Sequence, residues 1–339
     1  MTRIAVTELE YRKALGIFTG SEASGLDCVP VAAEEAALAA AITAKGLRHA
    51  IIGVEKYSGG LYRALPKGGV IARFGVGHDG VDKAAASAHG LFCTNTPGAL
   101  DDSVAEHTLN LLFAAARQTV AQAAALRAGQ WAPTMGTELK GKTLAVIGCG
   151  AIGRRVGQVA ARGLGMNVIG CEVAPVDVNS LQAECGFTTV VKEFEAAVRE
   201  AHYVSLHIPS LPATRHFINQ ERLAQVAPGS WLVNTARGAI VDEAALFEAL
   251  SAGKLGGAAL DVFEREPYVP VDPAKDLRRL ANVILTPHVS SSTREACDRM
   301  ARRALQNIRW AEAGDYQRLD LLNREVLESC VKTAGKGSI

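Results

Sequence analysis

Three polar residues occupy equivalent places in the second half of the chain, each just after a run suited to a buried strand. Arg237 follows Trp231 to Ala236, Glu266 follows the run ending Asp261-Val262-Phe263, and His288 follows Val283 to Thr286 and Pro287. A guanidinium, a carboxylate and an imidazole are what reduction of a 2-keto acid asks of a protein besides a hydride donor. A cation must hold the substrate carboxylate and polarise the carbonyl, and an acid must protonate the oxygen as hydride arrives. The planar fork of Arg matches a carboxylate. The pKa of His lies near physiological pH, and an opposite charge within ~4–6 Å raises it. Taken singly, each has a structural alternative: Arg237 as a surface charge, Glu266 as a solvated loop acid, His288 as a turn residue after Pro287. Sequence alone does not show that the three meet.

A hydride donor needs its own site, and Gly148-Cys149-Gly150-Ala151-Ile152-Gly153 has the required form. It follows the apolar run Leu144-Ala145-Val146-Ile147 and opens a helix expected over Arg154 to Leu164. Gly148 permits a tight turn, Gly150 lets backbone approach a pyrophosphate, and Gly153 lets helix pack closely on strand. The helix N-terminus then offers free N–H groups and the positive end of its dipole. The next strand ends at Glu172, 24 residues after Gly148. An acid there accepts bonds from ribose hydroxyls and repels a 2′-phosphate. No Arg or Lys follows in Val173-Ala174-Pro175-Val176, so NAD is expected rather than NADP.

These residues need strand ends to hold them, and the chain supplies strands in two series. In the first, Arg3 to Val6, His49 to Val54, Val70 to Phe74 and Leu91 to Asn95 read as strands. Helices are expected over Ala32 to Lys45 and over Lys83 to Ala88, the latter with Asp82 as N-cap. A long helix is expected from Asp102 to about Ala128. The second series then gives six strands: Leu144 to Ile147, Asn167 to Cys171, Tyr203 to Ile208, Trp231 to Asn234, Gly257 to Val262 and Val283 to Leu285. Strand–helix alternation of this kind implies parallel sheets covered on both faces. The last long helix, Thr293 to about Ala313, is placed back on the first series. The polar tail from Glu328 is expected to be disordered.

With 339 residues, two domains are expected. Hydrophobic residues make up 48% and charged residues 21%, an ordinary globular balance, and the formal charge of +1 gives no field for nucleic acid or an anionic membrane. No secretory signal or transmembrane run is read from the chain. The seven cysteines are scattered and form no C-x-x-C, which fits reduced, buried thiols in a cytoplasmic protein and argues against a zinc site, so no metal is expected.

From about Arg73 to Asn323 the chain resembles the D-isomer-specific 2-hydroxyacid dehydrogenases, a family that includes glycerate, phosphoglycerate and D-lactate dehydrogenases. The resemblance is carried by Gly75-Val76-Gly77-His78-Asp79, Thr94-Asn95-Thr96-Pro97-Gly98, Val104-Ala105-Glu106-His107, the glycine loop, Val204 to Pro209, Asn234-Thr235-Ala236-Arg237-Gly238, Ala259 to Pro267, and Thr286-Pro287-His288. It implies an α/β fold of two doubly wound parallel-sheet domains, with a Rossmann NAD-binding domain (101–289) inserted in a flavodoxin-like substrate domain (1–100 and 290–327). Between them a cleft is implied. It further implies that Arg237 binds substrate carboxylate and keto oxygen, that His288 is the general acid/base, and that Glu266 is its paired carboxylate. Asp261 is implied to contact the nicotinamide carboxamide. His207, Thr214, Thr235 and Ala236 fall in the cofactor pocket with Gly148, Gly150, Ala151, Ile152, Gly153, Glu172 and His288. The Val76-Gly77 backbone is similar to the loop that holds the substrate carboxylate, with Tyr57 and His78 as neighbouring substrate candidates. Lys56-Tyr57-Ser58 occupies the region that shapes substrate choice. A homodimer is implied, with much of its contact from residues 104 to 140.

Departures from the family pattern are Glu172 where Asp is commoner, Cys171 where an aromatic is frequent, and Ser290-Ser291-Ser292 where small Gly or Ala residues are usual. His89, His107, His202 and His216 are read as structural or exposed. Two rival functions share these motifs. An NAD(H)-sensing co-repressor is disfavoured by low basicity and the lack of a long interaction tail. Formate dehydrogenases pair the His with Gln, so Glu266 points away from them. About fifty residues follow His288, too few for the appended regulatory domain of long phosphoglycerate dehydrogenases.

Overall fold

A computed structural model describes residues 1–327; the expected disordered tail from Glu328, with Cys330, lies outside the described residues. The chain divides into two compact units, Met1–Leu100 together with the chain from Ser291 onward, and Asp101–Ser290. Each is an α/β unit around a parallel sheet, as the strand–helix alternation predicts.

In unit 1 the strands are β1 (Thr2–Thr7), β2 (Leu26–Val31), β3 (His49–Ile52), β4 (Val70–Arg73) and β5 (Phe92–Thr94), in the order β2-β1-β3-β4-β5. This is the flavodoxin-like order, which reverses between β1 and β3. The sequence pattern missed β2, whose Leu-Asp-Cys-Val-Pro-Val mixes polar residues and a proline into the run. Pro30 is tolerated because β2 is an edge strand, where a missing N–H breaks no inner ladder. Helix Lys83–Ala88 is capped by Asp82, whose carboxylate accepts from the Ala85 amide at 2.9 Å. The long helix Arg294–Glu312 starts at the N-cap Thr293 and packs on this unit, with buried Ala296, Met300, Ala304, Leu305 and Ile308.

Unit 2 carries β6 (Thr143–Ile147), β7 (Asn167–Cys171), β8 (Thr189–Val191), β9 (Tyr203–Leu206), β10 (Trp231–Asn234), β11 (Gly257–Leu260) and β12 (Val283–Leu285). Its sheet has seven strands among the described residues, ordered β12-β11-β10-β9-β6-β7-β8, so the expected six is corrected by one. The extra strand, Thr189-Val190-Val191, is an edge strand too short to show a period. Both faces of the sheet are buried. Leu144 and Val146 of β6 enter one core, with Val168 and Val233, while Ala145 and Ile147 enter the other, with Val204 and Leu260. Alternation of side chains across a strand sends successive residues to opposite cores, so the run reads as continuously apolar.

The long helix expected to run to Ala128 is two helices, Asp101–Arg117 and Thr119–Arg127. Between them Gln118 takes φ +52°, a left-handed conformation that ends the first helix. No Gly or Pro marks that break, which is why the pattern did not show it.

Candidate active site

The strand order of unit 2 reverses between β6 and β9, because the chain proceeds outward through β7 and β8 before crossing to β9. Ligands of open α/β sheets bind beyond the carboxyl ends of strands at such a point. The glycine loop leaves β6 there. Gly148 takes φ +97°, and a Cβ on it would come within 2.8 Å of the His207 backbone beyond β9. A Cβ on Gly153 would lie 2.0 Å from the Gly148 carbonyl oxygen, so this helix can pack on its strand only with glycine there. Around a Cβ on Gly150, by contrast, no atom lies within 4 Å, leaving the approach open to a ligand. The helix begins at Ala151, three residues earlier than expected, with Gly150 as its N-cap and no side chain bonded to the cap. Ala151 is exposed and Ile152 half-buried.

Glu172 bends back over this loop. Its carboxylate accepts from the Cys149 amide and from the Ala174 amide, both at 2.9 Å. An open glycine turn, free helix amides and an anchored acid at the end of the second strand fit a pyrophosphate and a ribose. On the other side of the reversal, the His207 imidazole Nε2 lies 2.8 Å from Ser205 Oγ, and burial pushes its pKa down to about 4. Thr214 spends its hydroxyl on its own loop, donating to the Pro209 carbonyl at 2.6 Å and accepting from the Leu211 amide at 2.8 Å.

Arg237, Glu266 and His288 leave three neighbouring strands, β10, β11 and β12, at the same end. Asn234 shapes the Arg237 turn: its side chain accepts from the Ala236 amide at 3.0 Å and donates to the Arg237 carbonyl at 2.9 Å. Thr235 is bonded through its hydroxyl to Thr108 at 2.8 Å. A Cβ on Gly238 would fall 1.8 Å from the Phe263 carbonyl carbon, so the turn after β10 touches the loop after β11 backbone to backbone.

His288 Nδ1 lies 2.7 Å from Glu266 Oε2, and Glu266 Oε1 accepts from the Phe263 amide at 2.9 Å. A carboxylate at Nδ1 holds a hydrogen on that nitrogen and leaves Nε2 to exchange a proton. His288 itself has φ +52°, an uncommon backbone for a residue with a side chain. Asp261 holds that loop. Its carbonyl accepts from the His288 amide at 2.8 Å, and its carboxylate accepts from the Val289 and Ser290 amides at 2.9 Å each and from Thr286 Oγ1 at 2.6 Å. The side chain is fully buried. Burial alone would raise its pKa, but the bonds from His107, Thr286, Val289 and Ser290 outweigh that and hold it below the ordinary value. His107, read from the sequence as structural or exposed, has its Nε2 3.1 Å from Thr286 Oγ1, a partner that no local pattern shows because the two lie 179 residues apart.

The substrate-side candidates lie in unit 1, after β3 and β4. The Val76 carbonyl is held by Asn95 Nδ2 at 2.8 Å, with Gly77 and His78 half-buried beyond it. His78 Nδ1 stands 3.3 Å from Lys83 Nζ. Tyr57 is 5% exposed and packs into the unit 1 core, so only its buried hydroxyl, without a hydrogen-bond partner among the described residues, is left for a polar ligand. Lys56 is exposed, and Ser58 is tied to Glu35, donating from Oγ at 2.8 Å.

A family model described as D-isomer specific 2-hydroxyacid dehydrogenase, NAD binding domain, matches residues 109–290. A glyoxylate reductase of Thermococcus litoralis is 37% identical over 278 residues, covering 79% of this chain and 81% of that protein. Among solved structures, a D-lactate dehydrogenase from Aquifex aeolicus complexed with NAD and lactic acid superposes with a TM-score of 0.80, at 25% identity over 94% of this chain and 99% of that one. An NADPH-dependent glyoxylate/hydroxypyruvate reductase from Sinorhizobium meliloti, complexed with NADP and malonate, gives 0.77 at 29% identity over 91% and 93%. The chain belongs to the D-isomer specific 2-hydroxyacid dehydrogenase family. It is an NAD-dependent oxidoreductase of that family.

Proposed function

We propose that the protein interconverts a small 2-keto acid and its D-2-hydroxy acid, with His288 and Glu266 as the acid/base pair and Arg237 as the carboxylate-binding residue. Bound NADH supplies the hydride to the 2-carbon. His288 donates a proton from Nε2 to the keto oxygen, and in the reverse direction takes it back. Glu266 holds Nδ1 and stabilises the imidazolium through which that proton passes. Arg237 holds the carboxylate and draws electron density toward the keto oxygen. The observation that carries the reading is the 2.7 Å contact between His288 and Glu266, from a loop locked by Asp261. The split of the chain into two compact units supports substrate (1–100, 290–327) and NAD-binding (101–289) domain roles for them.

The remaining roles rest on the family resemblance. Val76-Gly77 take the substrate carboxylate, with Tyr57 and His78 as further substrate contacts. His207, Thr214, Thr235 and Ala236 line the cofactor pocket. Asp261 reaches the carboxamide only with what the donors of its own chain leave of its carboxylate. Glu172 selects NAD over NADP. The protein is a homodimer joined through residues 104 to 140, and a reducing, cytoplasmic setting suits the six described cysteines, all buried free thiols.

The test is turnover of NADH and NADPH, followed by absorbance, against glyoxylate, hydroxypyruvate, pyruvate, and branched and aromatic keto acids, on wild type and His288→Ala. Wild type is expected to turn over at least one keto acid. The substitution is expected to cut kcat about 10²–10⁴-fold with NADH binding retained. A His288→Ala variant as fast as wild type would remove His288 from the mechanism.

A further inference from the structure

The Asp261 carboxylate is the hub of the loop that carries His288, and one of its partners comes from far away in the sequence. His107, on helix Asp101–Arg117, brings Nε2 to 3.1 Å from Thr286 Oγ1 and 3.5 Å from Asp261 Oδ1. Both hydrogen-bond directions follow from chemistry. Ionised Asp261 only accepts, so Thr286 donates its hydroxyl hydrogen to Oδ1 at 2.6 Å. The Thr286 oxygen then accepts, and the His107 nitrogen facing both oxygens carries the hydrogen. Asp261 is fully buried and Thr108, next to His107, is bonded to Thr235, so this helix is tied to the ends of β10, β11 and β12 at once.

We propose that His107 is a positioning residue for catalysis, acting through Thr286 and Asp261 to hold the backbone of the His288 loop. The loop needs holding. His288 takes φ +52°, a conformation an ordinary residue leaves unless its surroundings over-determine it. Asp261 supplies that determination through the Val289 and Ser290 amides and, by its carbonyl, through the His288 amide. Without side-chain donors that carboxylate would be held only by the two amides of the loop it is itself holding. Thr286 and His107 tie Oδ1, which the Val289 amide also meets, to the end of β12 and to helix Asp101–Arg117, and with it the angle at which His288 meets Glu266. Among the described residues His107 makes no hydrogen bond to Glu266 or His288, and its effect is on geometry, to which proton transfer is sensitive: a displacement of about 1 Å costs roughly a hundredfold in rate.

The inference rests on the reading of His288 as the acid/base, and the experiment separates the two. Steady-state kinetics and fluorescence titration with NADH are run on wild type, His107→Leu, His107→Gln, Thr286→Val and His288→Ala. His107→Leu is expected to lower kcat about tenfold or more while NADH affinity stays within about twofold. His107→Gln, which can present an amide N–H near the position of Nε2, is expected to recover most of the loss. Thr286→Val, of nearly the same shape without the hydroxyl, is expected to lose activity as His107→Leu does and answers the question if the leucine variant does not fold. Wild-type kcat in His107→Leu or Thr286→Val overturns the proposal. So does a loss in both His107 variants that tracks weakened NADH binding. Inactive His288→Ala beside a fully active His107→Leu defeats the positioning role alone, whereas active His288→Ala defeats the acid/base reading beneath it.

Discussion

At the scale of single residues, the reaction reduces to where protons and charges are held. The glutamate of the His288–Glu266 pair is pinned by the Phe263 amide on one oxygen, so only the other is aimed at the imidazole. Glu172 is held in the same manner, each carboxylate oxygen accepting a backbone amide at 2.9 Å. A side chain one methylene longer than aspartate is thereby folded back to the rim of the glycine loop, where it can meet a ribose. If Glu172 has the proposed role, Glu172→Ala removes the ribose acceptor and the charge that repels a 2′-phosphate. The expected result is a rise of about tenfold in KM for NADH and a narrowed preference over NADPH. Initial rates with both nicotinamides check this, and an unaltered preference would contradict the assignment. The types of these residues, and their spacing after strands, were legible in the sequence. That Glu172 is anchored by Cys149 was not, since it depends on how β7 lies beside β6.

Loops between elements carry the second layer of control. The turn after β10 and the loop after β11 are clasped reciprocally: the Glu264 amide donates to Glu243 Oε1 at 2.7 Å and the Glu243 amide donates to Glu264 Oε1 at 3.2 Å. Glu243 is 3% exposed and its Oε2 has no hydrogen-bond partner among the described residues. Burial, reinforced by Glu264 and Glu266, raises its pKa to about 7 against the pull of the Glu264 amide. The folded state therefore binds a proton that the unfolded chain has released between about pH 4.5 and 7. Stability falls as pH rises through that window and stays lowered above it. Glu243→Gln keeps an acceptor for the Glu264 amide and abolishes the ionisation. It should be more stable relative to wild type at pH 8 than at pH 5, by on the order of 1–3 kcal/mol. Urea midpoints at the two pH values decide this, and an equal difference at both would show that Glu243 ionises freely. Elements with a clear period or cap, such as β6 and the helix behind Asp82, were readable in advance. The three-residue β8, the proline-bearing β2 and the break at Gln118 were not, because each is stabilised by its neighbours and not by local preference.

At the scale of the whole molecule, a stretch of exposed apolar side chains asks for a partner. Phe113, Val120, Leu126, Trp131 and Met135 fall within residues 104 to 140, with Trp131 86% and Met135 92% exposed. Burying such side chains against a second copy is the simplest physical use of them. The protein should sediment at about twice its chain mass of 35.7 kDa. Trp131→Ser with Met135→Ser should weaken the dimer at least about tenfold, since each loses more than ~1.4 kcal/mol of burial. A wild-type monomer at micromolar concentration would rule out the dimer.

What the sequence determined by itself was local: a strand, a glycine turn, a helix and an acid in that order, and three chemically apt side chains after three apolar runs. Those follow from periodicity and from residue chemistry within a few positions. Only the folded chain decided that β10, β11 and β12 lie side by side, that Gly238 touches Phe263, and that His107 reaches Thr286 across 179 residues. The reason is that hydrogen-bond partners distant in sequence are chosen by the packing of both sheet faces, to which every buried side chain contributes and which no short window contains.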